Sequence, residues 1–286
     1  MMVGNNYSIT VICKSDLYMI PPVTDFSTED IRQIEGVFFD IDDTFSASGK
    51  IYPEAYQALW DLKKAGYKLV PITGRPAGWC DFIARMWPVD AVVGENGAFY
   101  YRVDEEQDKF IKRYIDDDDV RDDKRKKLLA IRDEILSTVP GTALASDQHY
   151  READLAIDFC EDVPRLGWDS IDKISEIFTK HGATSKVSSI HVNGWFGDYS
   201  KLGMTKKLAA ELWQIDLEKE KSKFVYLGDS PNDEPMFKFF PFSIGVNNVL
   251  NFVEKMSYFP AFVTSKEGSF GFAEAAEIII QNSRIN

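Results

Sequence analysis

The residues most able to do chemistry stand in four short stretches. In Val37-Phe38-Phe39-Asp40-Ile41-Asp42-Asp43-Thr44, three apolar residues run straight into a cluster of carboxylates. The run lacks period-2 alternation and reads as a strand buried on both faces, as in parallel sheets. Carboxylates at the end of such a strand need a compensating charge, because an unpaired buried charge is costly. A hard cation with oxygen ligands, Mg²⁺, would supply it. Thr73 ends a second buried strand, just before a helix opened by Gly74-Arg75-Pro76. A hydroxyl beside free N–H groups at a helix N-terminus suits phosphate. Lys201 opens another helix, and Asp229 and Asp233 follow a further buried strand in Gly228-Asp229-Ser230-Pro231-Asn232-Asp233. In an open parallel sheet the strand C-termini meet at one rim, where ligands bind. Asp40, Asp42, Thr73, Asp229 and Asp233 are therefore expected together, with Lys201 in reach.

The elements that must hold these residues follow from pattern. Tyr7 to Cys13 has strand character, and Ser27-Thr28-Glu29-Asp30 looks like the start of a short helix. After the acidic strand, Pro53 opens a helix over 54–65, Lys68 to Thr73 is a strand with an awkward Pro71, and a helix covers 77–87. Ala91 to Gly94 is a third strand, ending at Glu95-Asn96-Gly97. This alternation predicts an α/β fold with a Rossmann-like, doubly wound parallel sheet. From 103 to about 197 the rhythm is lost. Strands at 110–115, 155–159 and 188–193 and helices at 116–139 and 168–181 read as an inserted α+β domain. The βαβ rhythm then returns, with a helix from Lys201 to Leu212, strands at 224–227 and 242–246, a helix near Met236 and a closing helix over 272–280. The organisation read from this is a core over 1–102, with an N-terminal extension over 1–30, a cap over 103–197, and the rest of the core over 198–286.

The four stretches, in this order, resemble the motifs of the haloacid dehalogenase-like (HAD) phosphatases: Asp40-x-Asp42-x-Thr44, Thr73-Gly74, Lys201, and Gly228-Asp229-Ser230-Pro231-Asn232-Asp233. The similarity runs from residue 36 onward. The large insertion between the second and third motifs is similar to the branch with an α/β cap, which includes Cof-like, sucrose-, mannosyl-phosphoglycerate and trehalose-phosphate phosphatases. The resemblance implies a Mg²⁺-dependent phosphomonoester hydrolase acting through an aspartyl-phosphate on a small phosphorylated metabolite, most of all a sugar phosphate. It implies Asp40 as nucleophile and Asp42 as acid and base. Metal binding falls to Asp40, Asp42 (through its carbonyl), Asp229 and Asp233, with Asp233 also supporting the metal's waters and orienting Lys201. Thr73, Gly74 and Lys201 hold the phosphoryl group. Arg75, Asn96, His191 and Asn193 are further candidates for substrate contact. Asp43 stands where the family often has Gly, and Leu202 where Gly often follows the motif lysine. A phosphotransferase or mutase, or a non-catalytic sugar-phosphate sensor, are the other readings of the same residues.

Composition narrows the partners. The net charge of −13 argues against nucleic acid and anionic membrane, which reward clustered Lys and Arg. No stretch has the length of a membrane span, and the three cysteines show no disulfide or zinc spacing, so a cytoplasmic protein is expected. A homodimer is possible. Arg151, in a cap loop, reads as a solvated side chain ahead of a substrate contact, and the tryptophans at 79, 87 and 195 as core or domain-contact residues ahead of a stacking platform.

Overall fold

A computed structural model describes residues 20–188 and 190–283. The strand expected at Tyr7 to Cys13 and the side chain of Ser189 lie outside them. In chain order the elements are α1 (Thr28–Ile31), β1 (Gly36–Phe39), α2 (Pro53–Lys64), β2 (Lys68–Pro71), α3 (Ala77–Met86), β3 (Val92–Gly94), β4 (Phe99–Asp104) and β5 (Lys109–Tyr114). Next come α4 (Asp118–Thr138), β6 (Ala143–Leu144), β7 (Leu155–Asp158), α5 (Trp168–Lys180), β8 (Thr184–Val187) and β9 (His191–Trp195). The chain closes with α6 (Lys201–Trp213), α7 (Leu217–Glu220), β10 (Phe224–Gly228), α8 (Glu234–Phe239), β11 (Phe242–Gly245), β12 (Phe262–Val263) and α9 (Gly268–Gln281).

Five parallel strands in the order β12-β11-β10-β1-β2 form the core sheet. Successive side chains of a strand point to opposite faces. Val37 and Phe39 therefore pack with α2 and α9, while Phe38 packs with α6 and α8 on the other side. With both faces covered, no polar alternation survives in β1. The register sets Phe39 opposite Leu227 on one side and Pro71 on the other. The residues that follow these three positions consequently emerge side by side at one rim. Pro71 is tolerated because of which way its nitrogen faces. In β2 the N–H groups of Lys68 and Ile72 donate toward β1, to Glu35 and Phe39, whereas those of Leu69 and Thr73 point away from it, to Asp90 and Val93. Pro71 falls on the outward set, so no bond to β1 is lost.

The third strand departs from the expected βαβ continuation. β3 touches β2 through one parallel bridge, Ile72 to Val93, and otherwise pairs antiparallel with β4, which pairs in turn with β5. Residue 103, the expected start of the insertion, lies inside β4. Beyond β5, the order β6-β7-β9-β8 makes an antiparallel sheet, with α4 and α5 packed on one face through Leu128, Ile131, Ile135, Ile171, Ile174 and Phe178. The strand expected over 188–193 divides: Ser188 Oγ accepts the N–H groups of Ile190 and His191 in a turn, and β9 begins only at His191. The alternation after that point is real. Val192 enters the helix-covered core of this unit, while His191 and Asn193 face the rim that carries Asp40 and Asp229.

Candidate active site

Asp40 follows β1 directly, and its N–H bonds to the carbonyl of Leu227 at 2.9 Å. This ties it to the adjacent strand β10, whose end carries Asp229. Both aspartates line one cleft between the parallel core and the insertion, together with Asp42, Gly74, Arg75, Asn96, His191 and Asn193. The cleft is narrow, with a cavity of about 40 Å³, room for a few waters at the ~10–15 Å³ that each needs on this measure.

Lys201 reaches this rim because α6 starts there. Its Nζ lies 2.6 Å from Asp40 Oδ1 and 3.0 Å from Asp233 Oδ1. The helix start is fixed by Ser200, whose Oγ accepts the N–H of Gly203, and by Gly97 packed against it. A Cβ on Gly97 would sit 2.1 Å from the Ser200 carbonyl oxygen, and its φ of +105° suits glycine alone. Lys206 and Lys207 turn outward to Glu218 and Glu211. Lys201 is therefore the lysine the rim receives.

Asp233 serves the site from below. Its Oδ1 accepts from Lys201 and from the Tyr226 hydroxyl at 2.5 Å, and its Oδ2 accepts the N–H groups of Asp229 and Ser230. With both oxygens occupied, Asp233 orients Lys201 and the Asp229 loop and has little left to offer a metal directly. Asp229 is held by Thr44 (3.2 Å) and by Asn248 (3.3 Å). Asn248 also donates to the Asp43 carbonyl and accepts from Gly268 N–H, pinning the turn after Asp40. Asp43 adopts φ +57°, a left-handed conformation that explains why glycine is common at this place in related motifs.

The charges do not balance with protein groups alone. Asp40, Asp229 and Asp233 share one buried ammonium. Burial and mutual repulsion push the Asp40 carboxyl up to about 8 and Asp229 well above the usual carboxylate range. The Lys201 ammonium is held protonated by Asp233 and Asp40 against its burial. Among the described residues, no three acidic, His or Cys side chains form a ready-made metal cage. Two carboxylates with lone pairs to spare, a carbonyl and water suit a Mg²⁺ site, which uses one or two carboxylates and keeps several waters. The donor set and the surplus negative charge fit Mg²⁺ held by Asp40, Asp229 and the Asp42 carbonyl.

The Asp42 carboxylate is engaged elsewhere. Arg75 Nε approaches both its oxygens at 3.1 and 3.0 Å, and Nη2 approaches Oδ1 at 2.8 Å. Arg75 is almost buried, lies over the Trp79 ring, and reaches Glu161 of the insertion at 3.4 Å. Thr73 is fully buried; its Oγ1 accepts the Arg75 N–H at 3.0 Å and so shapes the loop, while Gly74 and Asn96 meet the cleft. His191 Nε2 lies 2.9 Å from Glu161 Oε2, off the line of a good hydrogen bond. His191 and Arg75 together hold the Glu161 carboxyl down at about 2.

Two further residues join the insertion to the core. Glu95, wholly buried at the end of β3, accepts four backbone N–H groups: Ala77 at 2.9 Å, Glu152 at 2.8 Å, Ala153 at 2.6 Å and Asp154 at 3.0 Å. Burial, with Asp154 beside it, pushes its carboxyl up to about 8. Arg151 is not solvated as its loop position suggested. Its side chain is buried between Asp147 and Asp154 and donates to the Gly74 carbonyl at 3.0 Å. The spacing Asp147, Arg151, Asp154, four and three residues apart, was the available sequence signal for this. For Glu161 and Asn248 no such signal exists, since their partners, Arg75, His191, Asp43 and Asp229, are all distant in the chain.

Residues 37–128 match the family model described as haloacid dehalogenase-like hydrolase. Over those residues the chain is similar to haloacid dehalogenase-like hydrolases. No curated protein sequence matches it. Among solved structures, a Thermoplasma acidophilum protein designated 0175 is similar at 15% identity, over 86% of this chain and 98% of that one, with a TM-score of 0.66. The sucrose-phosphatase of Synechocystis, solved with sucrose and phosphate, is similar at 17% identity over 87% and 98%, with a TM-score of 0.59. The C-terminal domain of trehalose-6-phosphate phosphatase from C. albicans is similar at 12% identity over 89% and 95%, with a TM-score of 0.63. At these identities the likeness speaks for the fold alone: a parallel α/β core with an inserted cap. No helix among the described residues is long and apolar enough to cross a membrane.

Proposed function

We propose that this hydrolase is a Mg²⁺-dependent phosphatase that cleaves a small phosphorylated metabolite, a sugar phosphate above all, through an aspartyl-phosphate. The observation that carries the reading is Asp40 beside Asp229 at one rim, with the Lys201 ammonium 2.6 Å from the Asp40 carboxylate. Asp40 attacks phosphorus as the bond to the ester oxygen breaks, and Asp42 gives that oxygen its proton. Water then attacks the aspartyl-phosphate and Asp42 takes its proton. The Asp40–phosphorus bond breaks, freeing phosphate. Lys201 offsets repulsion between two anions, and Gly74 and Asn96 line the place where the phosphoryl oxygens lie. Bound Mg²⁺ would supply Lewis-acid stabilisation of the phosphoryl charge. The sugar-phosphate reading rests on the neighbours' named substrates and on a polar cap face bearing His191 and Asn193.

Phosphate release from a panel of sugar phosphates and other esters tests this. Turnover should vanish with EDTA and return with Mg²⁺. Asp40→Asn should fold and be inactive; an Asp40→Asn protein as fast as the parent removes the nucleophile and the mechanism with it.

A further inference from the structure

A second cavity, about 540 Å³, opens on the other side of the Asp42–Arg75 pair. Both residues line it as well as the catalytic cleft, so the ion pair is the partition between the two. Its walls are the turn over 46–51 and helix α3. That helix already gives the core Cys80, Ile83 and Ala84. Yet Trp79, Phe82 and Met86 fall three and four residues apart on another face and stay 44%, 57% and 60% exposed. Trp79 and Phe82, with Trp87, surround the recess, which Ile41 and Ile51 complete. Its volume lies in the range of small-molecule sites, and apolar and aromatic walls are typical of them. Arg75, already matched by Asp42 and Glu161, closes the inner end. At the rim stands exposed Lys50, whose ammonium has no carboxylate partner among the described residues.

We propose that this recess binds a flat aromatic anion, its ring among Trp79, Phe82 and Trp87 and its negative group on Lys50. The inference goes beyond the phosphatase reading and does not depend on it. Three aromatic walls select a ring, since ring pairs gain attraction beyond burial. The unmatched ammonium selects an anion. The Arg75 guanidinium lies 4.4 Å from the Trp79 ring centre, so the occupant would rest beside the residue that holds Asp42.

Titration of the purified full chain with 8-anilinonaphthalene-1-sulfonate, read by dye emission and by tryptophan fluorescence, tests this without reference to catalysis. Saturable binding at one site per chain is expected. Phe82→Ala should raise the half-saturating concentration about tenfold and Lys50→Gln several-fold. N-phenyl-1-naphthylamine, the same ring system without the sulfonate, should bind the parent more weakly and be indifferent to Lys50→Gln. Absence of saturable binding by natively folded protein overturns the proposal, as does parental affinity in both variants. Dye uptake that rises only with self-association at high protein concentration overturns it too, making the face an interface between copies.

Discussion

Arg75 grips the carboxylate of Asp42 from the side, with three contacts between 2.8 and 3.1 Å, while its other amino group reaches into the cap toward Glu161. One guanidinium thus connects the proposed acid and base to the domain that covers it. Lysine cannot reproduce this fork, having a single charged nitrogen on a flexible stem. Arg75→Lys should fold but release phosphate about 10- to 100-fold more slowly, because small misplacements of a reacting group cost rates of that order. Steady-state assays with the best ester of the panel would show it, and a rate within twofold of the parent would remove Arg75 from the positioning of Asp42.

The surplus negative charge around Lys201 predicts a metal effect on stability. A ligand that binds only the folded state stabilises it by about 2.7 kcal/mol at a hundred times its Kd. Thermal scans should show the midpoint rising with MgCl₂ and not with NaCl at equal ionic strength. Asp229→Asn should abolish the Mg²⁺-specific rise. An unchanged response in that variant would place the ion elsewhere.

Glu95 accepts more backbone N–H groups than any other side chain at the site, from α3 and from the cap residues 152–154. Glu95→Ala would leave these donors buried and unmatched, at roughly 1–3 kcal/mol for each that water cannot reach. A loss of at least about 3 kcal/mol is expected in urea unfolding followed by circular dichroism. A loss under about 1 kcal/mol would mean that water replaces the carboxylate.

Glu161 makes stability depend on pH on the acid side. Its folded value, about 2, lies below the ordinary 4.5, so it contributes stability at and above pH 4.5 that is lost as pH falls toward 2. The midpoint gap between the parent and Glu161→Gln should be widest above pH 5 and shrink through that window. A gap that stays constant from pH 6 to 3 would show that the pairing with His191 and Arg75 adds nothing.

Much of this was readable in the chain because the core is built from local rules. Uninterrupted apolar runs marked β1 and β10, their ends carried the acids, and parallel pairing brought those ends together. The reading failed where a long-range partner decides. The acids at 147 and 154 hint at the ion pairs of Arg151, but nothing near it says that the Gly74 carbonyl, far off in the chain, will take its third contact. The strand at 188–193 was misread because Ser188 diverts the backbone with its own hydroxyl, a competition that hydrophobic period does not register. β3 joined an antiparallel hairpin because the chain turns back at Asn96 and Gly97, both at positive φ.

The cleft holds about 40 Å³ with Glu161 against Arg75, so under the proposed function a hexose phosphate needs this contact to open. Each turnover of that kind would include a parting of the two domains that breaks the pair. The pair would then act as a gate built of opposite charges, which dissolved salt would loosen. Moderate ionic strength would then quicken the passage of molecules while leaving the bond-breaking step itself untouched.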